Sequence, residues 1–187
     1  MKVIWLTGGS GSGKSTVSGI MAERGYRIID TDRISKEILN VGTKAYDEVV
    51  NAFGTDILMP DKKVNRRMLG DIVFGDSKKL DILNGIMHKY ITIEIEDSLK
   101  AGGDCIIDAP LPNTYGIACN MTVAVTAPQE MRIERIMKRD NISRKQAESR
   151  IASQISDKEY RALADAVIVN DGNMERLCEN IDRILGV

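Results

Sequence analysis

The run Gly8-Gly-Ser-Gly-Ser-Gly13-Lys14-Ser15 has the residue types and the spacing that hold a triphosphate. Glycines at Gly8, Gly11 and Gly13 let the backbone turn its N–H groups, that of Ser12 included, toward phosphate oxygens. The N-terminus of a following helix would add partial positive charge there. Lys14 can reach the β- and γ-phosphates, and the Ser15 hydroxyl is placed to hold Mg²⁺. A glycine-rich turn with a solvated lysine is the competing reading. It is disfavoured by context, because the run follows an apolar strand pattern and opens a helical one.

Other residues could supply the rest of a phosphoryl transfer. Asp108 ends the apolar run Cys105-Ile-Ile107 and should emerge at the carboxyl edge of a sheet, where a carboxylate can hold a metal through water. Its alternative is to cap the next segment. Asp30-Thr-Asp32 ends a second apolar run. A carboxylate there can orient an acceptor hydroxyl and take its proton, and Asp32 is the candidate base. Asp30 reads as a metal or capping residue, and simple helix capping also competes for Asp32. Arg132, Arg135 and Arg139 fall on one helix face, with Arg144 and Arg150 beyond. Guanidiniums converging on a transferred phosphate would stabilise its charge, although a solvated helix face would show the same pattern. His88, the single histidine, lies in an amphipathic helical stretch, where a structural role is the simpler reading.

The elements that must position these groups alternate between strand and helix. Val3 to Leu6 read as a strand and Lys14 to Arg24 as a helix. Tyr26 to Ile29 read as a strand, with Ile34, Ile38 and Leu39 on a helix after it. Residues 43 to 101 carry apolar positions at three- and four-residue intervals and read as a helical insertion, closed by Gly102-Gly103. Strands follow at Cys105 to Asp108, Met121 to Val125 and Ala166 to Val169, with a helix whose first turn holds Pro128 and another from Met174 to Leu185. Ser143 with Gln146 is a capping-box signature within the polar stretch 139 to 161. This order predicts an α/β fold of three layers, a mainly parallel five-stranded sheet covered on both faces. The 187 residues are expected to form one domain.

Composition narrows the partners. Lys and Arg number 26 against 27 Asp and Glu, so no basic excess points to nucleic acid, and the 4% aromatic content argues against broad base-stacking surfaces. Cys105, Cys119 and Cys178 are odd in number and widely spaced, which fits thiols in a reducing compartment better than disulfides or zinc. The chain reaches its glycine cluster too soon for a signal peptide, and no run is long enough for a membrane span. A cytoplasmic location is expected. An Asn-Lys-x-Asp run is absent, as is an Asp-x-x-Gly after the third strand, which disfavours a GTPase switch.

Taken in order, these motifs resemble the dephospho-CoA kinase family. The resemblance rests on Leu6 to Thr16, Ile29-Asp-Thr-Asp32-Arg-Ile, Phe53-Gly with Ile57-Leu58, Val64-Asn-Arg66-Arg67-Met-Leu69, Ile72-Val-Phe74 and His88. It continues through Asp108-Ala-Pro110-Leu111, Arg139-Asp140, Arg150-Ile151 with Gln154, and Ala164-Asp165 leading to Asn170-Asp-Gly172. It implies ATP- and Mg²⁺-dependent phosphorylation of the ribose 3′-hydroxyl of dephospho-CoA on a nucleotide-kinase-like fold. The insertion would bind the CoA acceptor, and about 139–161 would form a lid. The resemblance casts Asp32 as base, Lys14 as a further catalytic residue, Arg139 as a catalytic arginine of the lid or of the phosphates, and Thr16 and Asn170 as neighbours of the nucleotide. Arg66, Arg67, His88, Pro110 and Leu111 would lie on the acceptor side. The chain departs from the pattern at His88-Lys89, where the family has His-Pro, and at Pro112-Asn113-Thr114, where an acidic residue is usual. Two other readings stand beside this one: a P-loop kinase of another small hydroxylated metabolite, and a non-catalytic nucleotide-binding switch.

Overall fold

A computed structural model describes all 187 residues, which divide into two compact units. The first comprises Met1–Ile29, Gly102–Asn113 and Ala118–Val187. Its centre is the apolar strand β1 (Val3–Thr7), buried along its whole length. β1 pairs in parallel with β3 (Cys105–Asp108) on one side and β4 (Met121–Thr126) on the other, and β4 pairs in parallel with β5 (Ala166–Val169). With β2 (Arg27–Asp30) at the far edge, the sheet has five parallel strands in the order β2-β3-β1-β4-β5. The continuous apolar runs Val3-Ile-Trp-Leu6 of β1, Cys105-Ile-Ile107 of β3 and Val123-Ala-Val125 of β4 are what burial on both faces requires.

Helices α1 (Lys14–Glu23) and α9 (Met174–Leu185) pack together over the sheet. There Val17, Ile20 and Met21 meet Ile4, Leu6, Ile106, Val123, Ile168, Leu177 and Ile181 in the main core. Arg24, which caps the end of α1, and Asp182 of α9 form an ion pair. A smaller cluster, Ile133, Ile136 and Ala147, joins α6 (Gln129–Asp140) to α7 (Arg144–Ala152). α7 opens with the capping box of Ser143 and Gln146 that the sequence announces. Pro128 lies one residue further out than the first helical turn, as the N-cap of α6. A helix absent from the sequence reading, α8 (Asp157–Ala162), has a second capping box from Ser156 and Glu159.

The second unit, Asp30–Ala101 with Thr114–Ile117, is helical. It contains α2 (Thr31–Glu37), α3 (Lys44–Phe53), α4 (Arg66–Phe74) and the long α5 (Ser77–Lys100), with a single 3₁₀ turn at Thr55–Ile57. α2, α3 and α4 each pack on α5. Leu69 and Val73 of α4 and Ile91 and Ile95 of α5 are buried pairs four residues apart, and Ile34, Val49 and Ile86 are buried with them, whereas Ile82, apolar in the same pattern, is exposed. α2 stops at Glu37, so Ile38 and Leu39 are buried beyond the helix rather than on its face.

The three thiols are free. Burial pushes the Cys105 thiol above its ordinary value, whereas Cys119 is exposed. Titration of the native protein with a thiol-reactive disulfide is therefore expected to label Cys119 first and Cys105 only on unfolding. Rapid labelling of Cys105 would contradict the packing of β3.

Candidate active site

Gly8 to Ser15 lie between the end of β1 and the first residues of α1, all within the first unit. Gly8, Gly11 and Gly13 have φ of 152°, 77° and 90°, the positive values that an L side chain resists. Space forbids a side chain as well. A Cβ on Gly13 would strike the Asn170 amide, and one on Gly11 would lie 2.6 Å from the Arg132 carbonyl oxygen. The glycines are therefore fixed by the packing beneath the loop as well as by its turns.

That packing comes from α6 and the end of β5. Arg135 Nη1 donates to the carbonyls of Gly11 and Ser12 at 3.2 and 3.3 Å. Asn170 Nδ2 donates to the Ser12 carbonyl at 3.1 Å, and Arg135 Nη2 donates to Asn170 Oδ1 at 3.2 Å. Because the peptide unit is planar and trans, holding the Ser12 carbonyl inward sends the Gly13 N–H the opposite way. The N–H groups that open α1 have no acceptor inside the helix and add to the same anion-binding end. Asn170 is buried and touches the loop's backbone, so its position is that of a support beneath the loop.

Over the loop lies a depression of about 500 Å³ lined by Gly11, Gly13, Ser15, Arg135, Lys138 and Arg139. Three cationic side chains around glycine backbone and a helix N-terminus suit a polyanion. Lys14 is ion-paired with Asp108, which β-sheet register places beside Leu6 at the carboxyl end of β1. Arg139 is held by both oxygens of Asp140, at 2.8 and 2.9 Å, and Arg150 pairs with the same carboxylate. Those two arginines, Arg139 foremost, hold the Asp140 carboxyl down at about 2.

The three arginines of the α6 face thus have three environments. Arg132 is only 4% exposed and lies under the loop, Arg135 is half-buried, and Arg139 is exposed at the helix end. Helical spacing groups them on one face but carries no information on depth. Ser15 and Thr16 are exposed at the start of α1. Thr7 Oγ1 and Tyr160 Oη both donate to the Pro110 carbonyl, at 2.8 and 3.1 Å, and Trp5 Nε1 donates to that of Leu111 at 3.0 Å. The side chains of Pro110 and Leu111 are exposed.

In the second unit, the Asp30 side chain accepts from the Arg33 N–H at 3.0 Å and caps α2. The capping role therefore belongs to Asp30, and the Asp32 carboxylate, exposed in the first turn, has a different place. Asp32 lies near Tyr115. Burial raises that phenol, the Asp32 charge adds to the rise, and a hydrogen bond with Thr31 opposes it. His88 meets the Tyr115 ring edge-on, with centroids 5.4 Å apart. Asp32, Tyr115 and His88 thus form a chain of neighbours in this unit, with Tyr115 a member that spacing gave no means of finding. Lys89, where the family pattern has proline, pairs with Glu48 of α3 at 2.8 Å, and Tyr90 donates to the same carboxylate. Arg66 and Arg67 are exposed, and Arg66 Nη2 donates to the Lys36 carbonyl at 3.1 Å. No helix of the chain is long and apolar enough to cross a membrane.

A dephospho-CoA kinase family profile matches residues 2–176. Among curated relatives, the dephospho-CoA kinase of Carboxydothermus hydrogenoformans is 42% identical over 193 aligned positions, covering 99% of this chain and 93% of the relative. A solved protein, TT1252 from Thermus thermophilus, superposes with a TM-score of 0.86 at 26% identity, covering 99% of this chain and 96% of that one. The dephospho-CoA kinase from Campylobacter jejuni superposes with a TM-score of 0.70 at 27% identity, covering 100% of this chain and 96% of that one. With a profile match across nearly its whole length and relatives this similar, the chain belongs to the dephospho-CoA kinase family.

Proposed function

We propose that the protein transfers the γ-phosphoryl group of ATP to the ribose 3′-hydroxyl of dephospho-CoA, giving coenzyme A and ADP. The observation that carries the donor half is the phosphate loop itself. Its positive-φ glycines, the support of Arg135 and Asn170 beneath it and the arginine-lined depression above it form a preorganised polyanion site. Family membership supports the identity of the acceptor.

In this reaction the bond from the γ-phosphorus to the β,γ-bridging oxygen breaks, and one to the 3′-oxygen forms. The hydroxyl proton passes to the Asp32 carboxylate. Lys14, exchanging Asp108 for phosphate oxygens, and Arg139, exchanging Asp140, would offset charge on the β- and γ-phosphoryl oxygens. Gly8, Gly11, Ser12, Gly13, Ser15 and Thr16 would hold the triphosphate, with Asn170 maintaining the loop's shape. Residues about 43–101 would bind the acceptor through Arg66, Arg67 and His88, with Pro110 and Leu111 contributing from the strand-end loop. About 139–161 would act as a lid.

Mg²⁺ fits this set of residues. The exposed Ser15 hydroxyl would ligate it and the Asp108 carboxylate would hold its water, while no cluster of three or more His, Cys, Asp or Glu side chains is present to bind a metal without the triphosphate. Bound there, it would supply charge neutralisation at the β- and γ-oxygens. The free thiols of Cys105, Cys119 and Cys178 support a cytoplasmic, reducing setting, and the net charge of −1 gives no support to a nucleic-acid partner.

The test incubates the protein with ATP, Mg²⁺ and either dephospho-CoA or a panel of nucleosides, sugars and shikimate, following ADP and identifying the product. ADP and 3′-phosphorylated product with dephospho-CoA alone is the expected result. Turnover of another acceptor in its place would give the site to a different metabolite kinase. Nucleotide binding without transfer to any acceptor would give it to a switch.

A further inference from the structure

Gln154 belongs to the pattern shared with the family, yet the phosphoryl transfer gives it no task. It sits just beyond α7, half-buried, and reaches one residue of the phosphate loop. Ser10 carries three polar groups, and each is engaged by a side chain from outside the loop. Its N–H donates to Gln154 Oε1 at 2.8 Å, and its hydroxyl accepts from Gln154 Nε2 at 3.1 Å. Its carbonyl accepts from Arg132 Nε at 2.9 Å.

The neighbours of Ser10 make that grip consequential. Gly9 and Gly11 flank it, and glycine imposes little preference of its own on the backbone. The segment's conformation must therefore come from contacts, and here those contacts converge on Ser10. Ordering a flexible stretch carries an entropic cost, which falls on ligand binding unless the free protein has already met it.

Arg132 shows how closely this support is built. Its Nη1 is ion-paired with Asp157 at 2.5 Å, while Nη2 is buried without a hydrogen-bond partner. A Cβ on Gly9 would run into that same nitrogen. A guanidinium buried with one nitrogen unsatisfied is costly if its only service is to fill space. Placement under the loop gives it another service.

We propose that Gln154 is a positioning residue for phosphoryl transfer: through Ser10, and with Arg132 as second support, it presets the phosphate loop and links the 139–161 tract to triphosphate binding. The inference rests on the reading that the loop holds ATP. Gln154 itself touches no reacting atom.

The test uses the full chain and the variant Gln154→Ala, with ADP and Mg²⁺ as the calorimetric probe. Steady-state kinetics, thermal unfolding and hydrogen exchange of residues 8–13 are followed alongside. Loss of two hydrogen bonds that preorganise the loop is expected to weaken ADP binding and raise the KM for ATP by about tenfold. The KM for the acceptor should stay within about twofold, and the loop amides should exchange faster in the free protein. Ser10→Ala, which removes only the hydroxyl contact, should give part of the effect. Added to Gln154→Ala it should give little more, because the two changes delete one interaction.

Wild-type ADP affinity in Gln154→Ala overturns the inference, whether or not the melting temperature falls. Additive losses from the two variants overturn it too. A wild-type chain that binds no ADP overturns the kinase reading and this inference with it, whereas wild-type binding beside an unaltered variant overturns the inference alone.

Discussion

Lys14→Ala is expected to lower kcat/KM for ATP by roughly 10²- to 10³-fold, the scale of losing one preorganised charge from a transferring phosphoryl group. The same substitution disturbs the resting structure, because Lys14 is ion-paired with Asp108 and the two side chains are only 17% and 9% exposed. Deleting the cation leaves Asp108 without that partner in a poorly hydrated place, at a cost of about 3 kcal/mol. For a chain of this size that lowers the melting temperature by about 6–12 °C. The two effects separate in the double variant Lys14→Met with Asp108→Asn, which removes both charges together. Its melting temperature is expected to recover most of the loss while turnover stays low. A double variant that recovers turnover as well would show that Lys14 serves folding alone, and a wild-type rate in Lys14→Ala would remove its proposed phosphate role.

The Lys14–Asp108 pair also shows where sequence reading stops. A strand ending in glycines and then Lys-Ser is legible because short-range geometry decides it. Apolar residues run continuously up to Leu6, and helical periodicity begins at Val17. That Asp108 would lie beside the loop follows from parallel pairing of β1 and β3, which the strand pattern implies. That it would hold the lysine does not follow, because both carboxylate-to-metal and carboxylate-to-lysine contacts suit a charge at that sheet edge. The arginines of α6 mark another boundary. Arg132, Arg135 and Arg139 share a face, yet the first is buried under the loop, the second is half-buried and the last is exposed. Depth along an element is tertiary information.

Helix capping differs in how far sequence alone decides it. Ser156 followed three residues later by Glu159 carries the same capping-box signature as Ser143 and Gln146. The helix it opens is only six residues long, too short for periodicity to reveal, yet it places Tyr160 against the Pro110 carbonyl and Asp157 against Arg132. Asp30 and Asp32 are both good N-cap residues, and composition cannot choose between them. The choice is made by the direction of the chain leaving β2, which puts the Asp30 oxygen over the Arg33 N–H.

That choice gives the second large prediction its control. Asp32→Asn is expected to lower kcat by about 10²-fold or more, since an amide keeps the shape of the carboxylate but cannot accept the hydroxyl proton. The KM for ATP should stay within about twofold, because donor binding rests on other residues, and a uniform loss of binding would have left kcat intact instead. Asp30→Ala should do the reverse. Losing the cap of α2 costs about 1 kcal/mol, or about 2–4 °C in melting temperature, with a far smaller fall in kcat than Asp32→Asn gives. Tyr115 supplies an independent readout. The Asp32 charge contributes to its raised phenol, so Asp32→Asn should bring the ionisation of Tyr115 to lower pH, while burial keeps it above the ordinary tyrosine value. A shifted Tyr115 titration with unchanged kcat would show that the carboxylate is present where the structure places it and has no part in the chemistry. Equal losses of ATP affinity and turnover would make Asp32 a structural residue of α2 after all.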